Sequence, residues 1–294
     1  MAVVLPTTVD TRVRAFAIAT LVGNILIVAT GGAVRLTGSG LGCPTWPRCT
    51  DDSFVATPEM GIHGVIEFGN RLITFVLVII AILTFLSVVR MRRTRPDLFV
   101  LALVVGFAIP VQAIVGGLTV LSNLNPFVVG LHFLASAVMV GIATWYLYRV
   151  FRGRGGGPLR VPLPFAVLAW LVAAAIGVTV VVGILTTGSG PHAGDGGAAR
   201  NGLDPEVMQH VHSWPGYVLL ALTLVLTAWA LVGVRRAVLP ALVLLGIEVL
   251  QIAVGITQSR LGLPELLVGT HMVLSVCAVA AVTWLLLALR ERRA

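Results

Sequence analysis

Apolar side chains along this chain come in long unbroken runs rather than at every second position or on one stripe of a helix. Runs near 14–34, 64–89, 98–121, 127–148, 164–186, 208–233, 237–258 and 266–289 each reach the roughly 20 residues that cross a bilayer. A segment that is apolar on every side has no face to offer water, so each run predicts a transmembrane helix, and polar residues gather in the connections. The first run follows Arg12 and Arg14 and resembles a signal peptide in that respect. It is longer than a typical signal core and no clear small-residue cleavage site follows, so it reads as a retained first helix.

Composition agrees: 57% of the 294 residues are hydrophobic and 11% are charged. All 20 basic residues are arginine, and their placement predicts the orientation. Arg12 and Arg14 precede helix 1; Arg90, Arg92, Arg93 and Arg95 join helices 2 and 3; Arg149, Arg152, Arg154 and Arg160 join helices 4 and 5. Arg235 and Arg236 join helices 6 and 7, and Arg290, Arg292 and Arg293 close the chain. All of these lie on one side of an eight-helix arrangement, whereas the opposite connections hold only Arg35, Arg48, Arg200 and Arg260. The positive-inside rule therefore puts both termini in the cytoplasm of a multi-pass plasma-membrane protein. A sequence pI near 10.9 could suggest nucleic acid, but short arginine collars at helix ends are explained by topology, and nucleic-acid binding is excluded as a reading.

The chain repeats itself. Thr37-Gly38-Ser39-Gly40 after helix 1 returns as Thr187-Gly188-Ser189-Gly190 after helix 5, and Gln112 stands 20 residues before His132 as Gln251 stands 20 before His271. This predicts an all-α integral membrane protein built as two tandem pseudo-symmetric four-helix bundles, 1–150 and 164–294, joined by a cytoplasmic linker, 151–163, rich in glycine and proline. An even number of helices per repeat makes the halves parallel, with a pseudo-two-fold along the membrane normal.

Chemistry enters with the histidines. His132 stands just inside helix 4, His271 just inside helix 8, and His210 and His212 open helix 6, all near the outward-facing ends. Imidazole is a common axial ligand of heme iron, and two helices that each present one histidine can hold a heme between them; a single helix-end histidine can also merely cap or reach the interface. His210 and His212 cannot face the same heme, because two residues along a helix is a rotation of about 200°. Aligning Glu67-Phe68-Gly69-Asn70-Arg71 with Gln209-His210-Val211-His212-Ser213 sets His212 opposite Asn70 and selects His212 with His271 as the C-terminal pair. The spacings differ, 62 residues from Asn70 to His132 against 59 from His212 to His271, so spacing alone does not prove the choice.

The outer loop Gly40-Leu41-Gly42-Cys43-Pro44-Thr45-Trp46-Pro47-Arg48-Cys49, the Ile66-Glu67-Phe68-Gly69-Asn70-Arg71 segment and the paired histidines of a duplicated four-helix unit resemble the heme A synthase family over the whole chain. That resemblance implies oxidation of the C8 methyl of heme O to a formyl group by successive hydroxylations and dehydration of a gem-diol, supplying heme A to terminal oxidases. It implies heme B as cofactor in the C-terminal half on His212 and His271, and heme O as substrate in the N-terminal half at His132. Heme O synthase is a candidate neighbour in the bilayer, and a separate electron donor is a second implied partner. The rival readings are a diheme cytochrome b-like electron carrier and a duplicated transporter without heme.

Within this reading Glu67 is the candidate catalytic carboxylate, because an ionisable side chain just inside a membrane helix is unfavourable to keep without a task and would suit proton transfer. The alternative is an ion pair with Arg71, and Arg71 in turn is a candidate partner for either a heme propionate or Glu67. His63, four residues before Glu67, shares its face and either relays protons or lies at the wet interface. Cys43 and Cys49 lie in the outward loop and are expected to form a disulfide, either structural or redox-active. Asn70 stands where the family pattern often has a second histidine. An amide is a poor iron ligand, so substrate heme is expected to be five-coordinate through His132. Cys277 reads as packing, His192 as a solvated loop residue, Glu248 as a bond between helices or a proton carrier, and the two TGSG segments as turns.

Overall fold

A computed structural model describes residues 5–155 and 157–290. It contains eight long helices: α1 (Thr11–Leu36), α2 (Gly61–Val88), α3 (Pro96–Leu121), α4 (Pro126–Arg152), α5 (Leu163–Ser189), α6 (Pro205–Gly233), α7 (Arg235–Arg260) and α8 (Glu265–Ala288). All eight are long and apolar enough to cross a membrane, and the protein is an all-α, multi-pass membrane protein. Among the described residues the extended structure is a single bridge, Leu159 to Arg290.

The helix ends lie within about a turn of the apolar runs, because polar residues extend each helix past the point where hydropathy falls. Asp10, Asn125 and Asp204 cap α1, α4 and α6 by accepting first-turn N–H groups, which would otherwise lie unsatisfied at the lipid boundary. Proline opens α3, α4, α5 and α6, where its missing N–H removes no helical bond.

α1 to α4 close into one ring, packing α1 on α2, α2 on α3, α3 on α4 and α4 back on α1; α5 to α8 close into a second ring in the same order. The seam between the rings is made by α4 and α8, with α1 against α8 and α4 against α5. Large apolar side chains such as Phe107, Trp170 and Val232 point outward, as lipid requires, while small and hydroxyl residues line the helix interfaces. Thr20 and Thr84 bridge α1 and α2 with hydroxyls 3.0 Å apart. Glu248, fully interior in α7, accepts from the Thr223 hydroxyl of α6 at 2.9 Å, so it bonds neighbouring helices.

Candidate functional site

α6 and α8 bring His212 and His271 ring to ring, with centroids 6.1 Å apart and planes inclined at 74°. Each ring lies over a glycine of an adjacent helix. A Cβ on Gly183 of α5 would stand 2.8 Å from His212 Cε1, and one on Gly255 of α7 would stand 3.1 Å from His271 Cε1. A side chain at either place would drive the imidazole off its position. Gln251, one turn before Gly255, donates from Nε2 to the His271 carbonyl at 3.0 Å and sets the register of α7 against α8.

The first ring of helices carries the same parts. Gln112 of α3 donates to the His132 carbonyl at 3.3 Å and to Ser136 Oγ at 2.7 Å, and a Cβ on Gly116, one turn on, would stand 3.3 Å from His132 Cε1. The Nδ1 atoms of His132, His212 and His271 are all buried without a hydrogen-bond partner, an arrangement that is unfavourable unless the rings serve something else. For a heme held by two axial imidazoles, iron–nitrogen bonds of about 2 Å and about 1 Å from ring nitrogen to ring centre set the centroids about 6 Å apart. The His212–His271 pair meets that spacing, so these residues fit the heme expected there. His210 is exposed, and two residues before His212 it faces about 200° away around the helix.

Asn70 is half-buried in α2 and its Oδ1 accepts from the Thr30 hydroxyl of α1 at 2.7 Å. His63 lies exposed at the start of α2, with Nδ1 2.9 Å from Ser39 Oγ, itself 2.8 Å from Thr37 Oγ1. The first TGSG segment thus ties the exit of α1 to α2.

The loop between α1 and α2 is clamped onto α2 by two charged side chains. Glu67 accepts from the Cys43 N–H at 2.6 Å through Oε2 and pairs through Oε1 with Arg71 Nη2 at 2.6 Å. The Arg71 guanidinium also donates to the carbonyls of Cys43, Thr45 and Arg48. Cys43 and Cys49 form a disulfide, both fully buried, and Trp46 of the same loop packs flat on Gly117 of α3. Breaking a buried ion pair by removing one partner costs about 3–5 kcal/mol, so this clamp is a strong local constraint. Changing both Cys43 and Cys49 to Ser is expected to leave the eight helices inserted, because their apolar length drives insertion without the disulfide. Thiol labelling of the unreduced wild-type protein checks the disulfide: both cysteines should resist modification until a reductant is added.

Arg35, at the end of α1, reaches across to the second ring of helices, donating from Nε to the His192 carbonyl at 2.8 Å and from Nη2 to the Thr187 carbonyl at 3.0 Å. The His192 side chain is half-buried, and its Nε2 lies 2.9 Å from the Leu263 carbonyl, so it links two loops of the second ring as well as bordering solvent. Cys277 is a free, half-buried thiol in α8. Sequence reasoning used Gln112 and Gln251 only as markers of the repeat and missed Gly116, Gly183 and Gly255. Gln-x-x-x-Gly before both His132 and His271 was the available signal, since positions four apart share a helix face.

Comparisons with known proteins bear on this arrangement. The heme A synthase of Lysinibacillus sphaericus is 31% identical over 144 residues, 48% of this chain and 46% of that protein. The heme A synthase of Staphylococcus epidermidis is 26% identical over 217 residues, 72% of this chain and 70% of that protein. That of Listeria monocytogenes is 27% identical over 162 residues, 50% of this chain and 52% of that protein. In the Lysinibacillus and Listeria matches the chain spans about half of the relative's length. Residues 14–283 match the cytochrome oxidase assembly protein family COX15-CtaA, and the chain belongs to that family.

Proposed function

We propose that this membrane protein oxidises the C8 methyl of heme O to a formyl group, giving heme A. The observation that carries the reading is the set of three imidazoles, His132, His212 and His271, each seated on a glycine of the adjacent helix, in a chain whose relatives are heme A synthases. On this reading 1–150 is the half that receives substrate and 164–294 the half that holds heme B between His212 and His271, with 151–163 as the linker. Heme B, when bound, supplies one-electron transfer. Electrons come from a donor outside the chain. The arginine-rich ends of the helices face the cytoplasm, and the histidines lie toward the outer face of the plasma membrane.

His132, oriented by the Gln112 bond to its carbonyl and by Gly116, holds the substrate iron from one side. Asn70 leaves the other side open. Each hydroxylation, with dioxygen as the oxidant, takes up two electrons from that donor and two protons and gives one water beside the hydroxylated carbon. Glu67, three residues before Asn70 on α2, delivers protons for these steps, and the gem-diol then loses water with no further change of oxidation state. Arg71 is committed to Glu67 and three loop carbonyls, so we assign it to holding Glu67 rather than to a propionate. His63, bonded to Ser39 and exposed at the start of α2, is assigned to proton relay with Glu67, one turn further along the same face.

Expression beside a supply of heme O, followed by chromatography of the extracted hemes, tests the reading: heme A or its alcohol precursor is expected. Extraction of heme B alone would overturn it in favour of a diheme electron carrier. A second experiment addresses Asn70. Asn70→His is expected to convert substrate heme to a six-coordinate, low-spin form while the heme B spectrum stays unchanged. Finding wild-type substrate heme already bis-histidine, and high-spin in His63→Ala, would transfer the ligand role to His63.

A further inference from the structure

At the arginine-rich end of the bundle, α4 and α7 both lie against α8 but do not touch each other. The gap between them is a cleft of about 480 Å³ with α8 as its floor, and it crosses the seam between the two rings of helices. Arg152 at the end of α4, Arg236 at the start of α7 and Arg290 just after α8 all line it. Tyr148, Leu239 and Trp284 form its walls on the side toward the membrane interior. No acidic side chain is among the described residues that line the cleft.

The positive-inside rule accounts for arginines at this end of the helices; it does not make three of them, from three helices in different parts of the chain, converge on one gap. Among the described lining residues the charged groups are all guanidiniums, so an anion that enters the cleft meets attraction from three sides. Guanidinium is weakly hydrated and presents a planar fork of donors that matches phosphate oxygens. An apolar and aromatic wall beneath the charges suits acyl chains rather than a freely dissolved ion, and basic pockets between transmembrane helices at this boundary are a recurring way to hold anionic lipid headgroups.

We propose that this cleft binds the phosphodiester headgroup of an anionic phospholipid, whose acyl chains lie along α4 and α7 and fill the seam between the two rings. The lipid bridges both halves of the protein there, opposite the end that carries the histidines. The site is independent of the proposed heme chemistry.

Native mass spectrometry of the full-length protein in detergent tests this with phosphatidylglycerol, phosphatidylcholine and inorganic phosphate as probes. Wild type is expected to retain phosphatidylglycerol at least about tenfold more than phosphatidylcholine. Changing Arg152, Arg236 and Arg290 together to Gln should lower that retention about tenfold or more. Changing Arg90, Arg92 and Arg93 together to Gln, which removes the same charge from the same end outside the cleft, should leave it intact. Leu239→Glu, which sets a carboxylate in the cleft while keeping every arginine, should lower retention like the cleft triple. Equal losses in the two arginine triples would reduce the effect to diffuse surface attraction and overturn the proposal. So would equal retention of phosphatidylcholine, or displacement of the lipid by inorganic phosphate.

Discussion

Replacing His212 or His271 with Ala is expected to abolish the low-spin heme B spectrum, by loss of the heme or its conversion to high spin, while His210→Ala leaves the spectrum largely intact. The two imidazoles face one another at 6.1 Å between centroids, whereas His210 is exposed. Absorption and electron paramagnetic resonance spectra of the purified variants measure the outcome. The structure adds a stricter form of the experiment. Gly183→Leu leaves both ligands in the chain, yet its Cβ would stand 2.8 Å from His212 Cε1 and displace the ring. It should therefore do as much damage to the spectrum as removing the histidine. Survival of the low-spin signal in Gly183→Leu, or its loss in His210→Ala alone, would mean that heme B is held elsewhere.

Glu67→Gln is expected to give a folded protein that loads heme B normally and makes little heme A, with a loss of about 10²–10⁴-fold, the range that positioned proton transfer contributes. Two roles compete here, because Glu67 also holds the disulfide loop. Both carboxylate oxygens are engaged, one by the Cys43 N–H and one by Arg71. A Gln side chain offers one acceptor and one donor group, so it satisfies only one of these partners and leaves the other facing an N–H. Arg71→Gln separates the roles: it frees the loop carbonyls but keeps the titratable carboxyl. If proton handling matters, Arg71→Gln should retain far more activity than Glu67→Gln, measured as heme A formed per heme B. Equal losses would make Glu67 a positioning residue, and normal turnover in Glu67→Gln would remove it from the chemistry altogether.

The eight spans and their approximate limits were legible in the residues alone, because lipid imposes one demand on every segment. Backbone groups must be satisfied internally and side chains must be apolar, so a run such as 98–121 can be little other than a helix. Matching Thr-Gly-Ser-Gly segments and equal Gln-to-His intervals are local patterns, legible for a related reason; they single out His132 and His271, while His212 rests on the alignment of 209–213 with 67–71. What those patterns left open were the contacts between residues remote in the chain. That Gly183 makes room for His212, that Arg35 reaches the carbonyls of Thr187 and His192, and that Arg71 is occupied by the 43–48 carbonyls all depend on how helices pack side by side. The choice for Arg71 between a propionate and Glu67 was undecidable from spacing, since a guanidinium four residues from a carboxylate has free rotamers that reach either. In the fold, the loop carries its carbonyls over α2, and the guanidinium engages them together with Glu67. His192 shows the same limit: a glycine-rich loop has no periodicity to betray its partners, and the bonds that anchor it lie 157 residues away at Arg35 and 71 residues away at Leu263, where only tertiary packing brings the chain together.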